Sequence, residues 1–260
     1  MFLRENHDRH RAVLRVSRLT IEERMIVAIM GPTGCGKTTL LKLLCGLDQP
    51  SIPGSRIDLF GDSPQTLRRT GQMNFSFQAP VLLPWLTVRD NVLLPLALRG
   101  QPVEQAEQIA ANRAISMVRL DHNVADFYPD RLSSGMASRV AVAQAVTSGC
   151  RILMMDEVFG TLDEVTRVEL DIKLREINES DMQATILFVT HSIEEAVLLA
   201  DRVIILDTLP DDCSGESIAV DLPIALNTRD SSVRYTSEFR RYKELIEMSF
   251  PRHNRAGVRQ

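Results

Sequence analysis

The octapeptide Gly31-Pro32-Thr33-Gly34-Cys35-Gly36-Lys37-Thr38 constrains this chain more than any other segment. It fits the pattern G-x-x-x-x-G-K-[ST], follows the apolar run Met25 to Met30, and opens a helical stretch through Leu40, Leu41, Leu43 and Leu44. A strand, a glycine loop and a helix in that order are the context a phosphate-cradling loop requires. The glycines let backbone N–H groups wrap a phosphate, the helix N-terminus adds partial positive charge, and Lys37 adds a full one. Thr38 offers a hydroxyl to a Mg²⁺ ion. Chance would produce the pattern in about one chain in a hundred of this length, before strand and helix are required.

Further short apolar runs at Arg151 to Met155, Thr185 to Val189 and Arg202 to Leu206 have the length and β-branched content of buried strands. Helical segments follow all but the last, so the fold class is α/β with a largely parallel sheet. From about Val81 to Gly149 the pattern turns helical, with Gln105 to Arg119 and Gly135 to Val146 in helix period and no convincing strand. The expected organisation is an α/β core over 1–80 and 150–209, an inserted helical subdomain over 81–149, and a C-terminal extension over 210–260. The extension should end in a helix with Phe239, Tyr242, Leu245, Ile246 and Ser249 along one side.

Thirty Lys plus Arg against 34 Asp plus Glu leave a net charge of -4. That excludes a polyanion binder of the histone kind, so any anion is held locally. Both ends are basic, a pattern that reads as frayed, solvated termini or as a weak attraction to anionic lipid. Cys35, Cys45, Cys150 and Cys213 sit mostly in apolar stretches and are expected as free thiols in a reducing compartment. No window approaches the roughly 18 apolar residues of a membrane span, and the N-terminus has no signal-peptide core, so neither a crossing of the membrane nor export by that route is expected.

The strand Arg151 to Met155 runs into two adjacent acids, Asp156 and Glu157. Successive strand side chains point to opposite faces, so the two should do different work. Asp156 is suited to Mg²⁺, directly or through water, and Glu157 to a water poised against a γ-phosphate.

Between the loop and these acids lies Leu132-Ser133-Ser134-Gly135-Met136-Ala137-Ser138-Arg139-Val140-Ala141-Val142-Ala143-Gln144-Ala145, which resembles the signature sequence of ABC-transporter ATPases. Gln78 in Phe75-Ser76-Phe77-Gln78 resembles that family's Q-loop, Gly160-Thr161-Leu162-Asp163 its D-loop, and Val189-Thr190-His191 with Ser192-Ile193-Glu194-Glu195-Ala196 its switch histidine and following helix. Together these motifs cover roughly Leu14 to Asp207. Leu82-Leu83-Pro84-Trp85-Leu86-Thr87-Val88, Asp90-Asn91-Val92, Phe159-Gly160-Thr161-Leu162-Asp163 and Glu194-Glu195-Ala196-Val197 are most similar to the nitrate/sulfonate/taurine importer branch.

The resemblance implies a P-loop NTPase core carrying an inserted helical subdomain, an ABC ATPase cassette that works as a pair, with each ATP between one chain's phosphate loop and the other's signature. It implies that Gly31, Pro32, Thr33, Gly34, Cys35, Gly36, Lys37, Thr38 and Thr39 hold ATP and Mg²⁺, the metal falling to Thr38, Gln78 and Asp156. Ser133, Gly135 and Asp163 would serve the partner's nucleotide, Glu157 would polarise water, Gln78 would sense metal and water, and His191 would hold the γ-phosphate. The implied function is the ATP-hydrolysing motor of a membrane importer for a small anionic solute, peripheral on the cytoplasmic face of the cell (inner) membrane. Its partners would be a transmembrane permease, a second ATPase subunit, identical or related, and indirectly a substrate-binding protein. A soluble ABC protein acting on nucleic acid or ribosomes is the alternative from another class, but the second cassette or long coiled coil usual there is absent and no nucleic-acid partner is expected. A weakly hydrolysing regulatory module is the third reading.

Three departures bear on that third reading and on specificity. Ser134 stands where the family usually has glycine; if its backbone needs positive φ, strain of about 1 kcal/mol follows. Val158 replaces a usual proline. The family's adenine-stacking aromatic should fall near His7 or His10, where only those histidines and Phe2 offer candidates. Trp85, the single tryptophan, is either a core aromatic of the helical subdomain or part of the surface that meets the membrane subunit.

Overall fold

A computed structural model describes residues 12–100, 105–160, 162–210, 215–227, 229 and 232–250. In chain order the elements are β1 (Ile26–Met30), α1 (Lys37–Leu44), α2 (Pro64–Arg69), β2 (Met73–Ser76), α3 (Val88–Leu98), α4 (Gln105–Met117), α5 (Ser134–Thr147), β3 (Ile152–Asp156), α6 (Glu164–Ile177), β4 (Thr185–Val189), α7 (Ile193–Leu199), β5 (Arg202–Leu206), β6 (Ile218–Pro223) and α8 (Ser237–Ser249). They fall into two compact units, 1–66 with 185–260, and 67–184.

In the first unit β1 lies between β4 and β5 and pairs with both in parallel. β1 and β4 are buried at every position, and β5 at all but its first residue, as continuous apolar runs between covered faces must be. Ile26, Ile29, Met30 and Phe188 are almost wholly removed from water, each such side chain contributing about 1.5–3 kcal/mol. β6 adds an antiparallel edge to β5, alternating between half-buried and exposed residues. Its alternation, single acid and terminal proline hide it in the sequence, since only an edge strand tolerates that composition. α8 buries Phe239 and Ile246, while Leu245, expected on the same stripe, is exposed. Thr236 caps the helix by accepting the Phe239 N–H at 3.2 Å, and the Tyr242 hydroxyl accepts the Ala225 N–H at 3.1 Å.

In the second unit β2 and β3 pair in parallel, so three of the four pairings within the units are parallel. β2, with only Met73-Asn74-Phe75-Ser76, is too short and polar to stand out in the sequence. α4 and α5 match the expected helices to within two residues at each end, and both pack on each other. α3, which packs on α5, was not expected, because Pro95 lies inside it and costs a helix one hydrogen bond.

Asn91 holds this helical region together. Fully buried, it accepts the Leu83 N–H at 2.7 Å and shares its two amide hydrogens among the carbonyls of Leu83, Leu86 and Thr87, which lie 3.2, 3.1 and 2.9 Å from its nitrogen. One amide side chain thereby fixes the loop that carries Trp85. Asn91→Ala should destabilise the chain by about 1–3 kcal/mol, the cost of orphaning buried polar groups. Urea unfolding of the variant measures it.

Candidate active site

The phosphate loop, in the first unit, joins β1 to α1. Gly31 has φ +147° and Gly36 φ +100°. A Cβ on Gly31 would lie 2.4 Å from the Leu206 carbonyl oxygen, and one on Gly36 3.3 Å from Leu14, so both positions need glycine for conformation and for space. Lys37 is buried at 6% exposure. Its ammonium donates to the Gly31 carbonyl at 2.9 Å and the Pro32 carbonyl at 3.0 Å, which bends the cation back over the loop mouth. The Cys35 side chain is buried, and burial pushes its thiol pKa up despite the nearby Lys37. Only its backbone faces the loop chemistry, and that N–H bonds the Pro32 carbonyl at 3.3 Å. Thr38 and Thr39 stand half-buried in the first turn of α1, which carries no acid. Glycine backbone, ammonium and helix N-terminus make a donor set for anions, which fits a nucleotide's phosphates.

In the second unit Asp156 ends β3, buried at 6% exposure. Glu157 follows in a left-handed conformation, φ +51°, which costs a non-glycine residue about 1–2 kcal/mol. The turn that holds it is anchored: the Gly160 N–H donates to the Glu157 carbonyl at 3.1 Å, the Leu162 N–H to that of Phe159 at 3.1 Å, and Val158, Phe159 and Leu162 are buried. The twist turns Glu157 away from the strand alternation, and Gln78 Nε2 donates to its Oε2 at 2.9 Å. This unites two residues 79 positions apart that the sequence singled out separately. The Asp156 carboxylate and the Gln78 amide oxygen in this unit, and the Thr38 hydroxyl in the first, are each hard oxygen donors of the kind that suits Mg²⁺. Among the described residues no group of three or more His, Cys, Asp and Glu is arranged to hold a metal by itself.

Ser133 caps α5, its hydroxyl accepting the Met136 N–H at 3.2 Å. Ser133 and Ser134 are exposed. Ser134 is the first residue of α5 and does not have positive φ, so the condition for strain there is not met. Gly135 follows in the same helical turn. Arg139 ties this end down by donating to the Arg119 carbonyl at 3.0 Å. Asp163 caps α6 through the Thr166 N–H at 2.9 Å, and that bond holds its carboxyl pKa below the usual value. In the first unit His191 is exposed between β4 and α7. Phe2, His7, His10, Thr161 and Cys213 lie outside the described residues; Cys35, Cys45 and Cys150 are buried free thiols. Sequence reasoning missed the left-handed Glu157, because the residue carries none of the glycine or asparagine signal usual for that conformation.

A family model described as ABC transporter matches residues 14–160. The chain belongs to this family. It is an ABC-type ATPase cassette. An uncharacterized ABC transporter ATP-binding protein of Methanocaldococcus jannaschii is 37% identical over 88% of the chain and 80% of that protein. A bicarbonate transport ATP-binding protein of Synechococcus elongatus is 38% identical over 79% of the chain, which spans only 30% of that relative. The dimeric structure of a bacterial ABC transporter cassette superposes with a TM-score of 0.72 at 28% identity, covering 86% of the chain and 96% of the cassette. A related post-hydrolysis dimer holds ADP and Pi, with a TM-score of 0.70 at 29% identity over the same shares.

Glu157→Gln should leave ATP binding intact and lower hydrolysis roughly 10²-fold or more, the usual loss when a general base is removed. Lys37→Ala should instead act on binding, since the phosphate charge loses its buried counter-ion. Equilibrium nucleotide binding and steady-state turnover on both variants separate the two roles.

Proposed function

We propose that this cassette is the ATP-hydrolysing motor subunit of a membrane importer for a small anionic solute, working with a second cassette and a transmembrane permease on the cytoplasmic face of the membrane. The Gln78 to Glu157 hydrogen bond carries the reading. It joins the candidate base to a segment in which Phe77, just before Gln78, and Val81 and Trp85 after it are apolar and exposed, Trp85 at 69%. A tryptophan so exposed is no core residue, and an apolar surface next to the reacting centre suits a partner that must feel the nucleotide's state.

Hydrolysis follows from the residues. Lys37 and the loop N–H groups hold the phosphates; Glu157, oriented by the Gln78 amide, takes a proton from water as its oxygen attacks the γ-phosphorus; the bond to the β-phosphate oxygen breaks and ADP leaves. Mg²⁺, held by Thr38, Asp156 and Gln78, would neutralise charge developing on the phosphate oxygens. His191 would steady the γ-phosphate. Ser133, exposed, and Gly135, half-buried, at the N-terminus of α5 would meet the second chain's nucleotide, with Asp163 beside that junction. The ordinary helical backbone of Ser134 gives the regulatory alternative no support.

A groove of about 650 Å³ beside this segment is lined by Arg68, Arg69, Phe75, Pro95, Leu98 and Arg99 among others. Its basic and apolar walls suit a short amphipathic helix from the permease. The relatives named for bicarbonate and for nitrate transport support the anionic solute. Among the described residues no helix is long and apolar enough to cross a membrane, so on this reading attachment depends on the permease. Trp85→Ala should weaken assembly with the permease and the coupling of hydrolysis to transport, while the isolated chain binds ATP normally. Pull-down of the permease and nucleotide binding on the same variant check it; unimpaired assembly would overturn the docking role.

A further inference from the structure

α7, which follows His191, has seven residues, too few to hold a helix in water without tertiary support. All of them except Glu194 are buried, and α8 packs against them. Both ends of α7 are held by residues from beyond β6. At its start Glu194 takes hydrogen bonds from Arg234 and from Lys243 on α8. Burial pushes the Glu194 carboxyl up, but these two cations outweigh it and keep its pKa below the usual value. At its end the Arg229 guanidinium donates to the Val197 carbonyl at 3.3 Å and the Leu198 carbonyl at 3.0 Å, filling the role of a C-terminal cap. The same side chain donates to the Ile224 carbonyl at 3.1 Å. It also lies 3.7 Å from Asp201, which accepts the Ile26 N–H at the start of β1 at 2.9 Å.

The start of α7 reaches the histidine through a short chain of bonds. Thr190 donates to the buried Glu195 carboxylate at 2.7 Å and accepts the Ser192 N–H at 2.9 Å. The Ser192 hydroxyl accepts the Glu195 N–H at 3.2 Å. His191, between Thr190 and Ser192, takes its position from the first turn of α7. That turn is held from outside by Arg234 and Lys243.

We propose that the C-terminal segment 224–250 positions His191: Arg234 and Lys243 clamp Glu194, and Arg229 caps the far end, so that α7 presents the histidine at a set place. The segment is a positioning element and touches no substrate. The proposal rests on the reading of His191 as the γ-phosphate residue, and the test separates the two.

The full-length chain is compared with the double variant Arg234→Gln/Lys243→Gln, the exchange variant Arg234→Lys/Lys243→Arg, and His191→Ala. In the Gln double variant kcat for ATP should fall about tenfold, the scale of a small misplacement of a catalytic group, while KM stays within about twofold and the stoichiometry of bound nucleotide is unchanged. That unchanged stoichiometry excludes a loss through unfolding. The exchange variant, which keeps both cations, should recover kcat. Wild-type kcat in the Gln double variant, with His191→Ala inactive, would overturn the positioning role alone, as would a loss shared by the exchange variant or matched by a loss of bound nucleotide. Normal turnover in His191→Ala would overturn the reading of the histidine, and this inference with it.

Discussion

A buried ammonium sets the terms for the rest of this molecule. Lys37 is 6% exposed, and an unpaired cation there would cost several kcal/mol. The Gly31 and Pro32 carbonyls meet that cost. They can do so only because the loop turns through a glycine at φ +147°, closed against the end of β5 where no side chain fits. The cation is thus held in place before any anion arrives, so nucleotide binding need not first order it. The apolar strands about β1 supply the rigid frame that this geometry presupposes.

The second constraint is opposite in sign. Glu157 is held in a conformation costly for its residue type. Three buried apolar neighbours and two turn hydrogen bonds keep it there. Backbone strain persisting at one carboxylate, bonded to a glutamine 79 residues away, is the pattern expected where orientation is worth more than local stability. On the proposed reading, the exposed apolar residues Val81 and Trp85 beyond that glutamine would give the site a way to be read by another protein.

Much of this was legible in the sequence because each feature has a local cause. Unbroken apolar runs of five and four residues declare β1 and β4; glycines and lysine declare the loop; the ordered motifs declare the family. What stayed hidden depends on distant residues or on broken local rules. α3 was obscured by Pro95, β2 by its polar residues, β6 by its edge alternation. The left-handed Glu157 follows no residue preference. Asn91 and Asp163 have structural roles that appear only once their hydrogen-bond partners are placed. The hold of 229–243 on α7 joins residues up to 49 positions apart, a pairing no pattern within one chain reveals. Trp85 was equally consistent with core and surface until its exposure was known.

On the proposed reading no single chain completes a nucleotide site: Lys37 would serve a nucleotide bound at its own loop, and Ser133 the second chain's. Mixing a Lys37→Ala chain with a Ser133→Arg chain tests this most directly. Each alone should be inactive, since both sites of either homodimer are broken. A mixed pair keeps one site intact, with Lys37 from one chain and Ser133 from the other. Equal amounts pairing at random should therefore recover roughly a quarter of wild-type ATPase activity. No recovery on mixing, or substantial activity in either variant alone, would contradict the account.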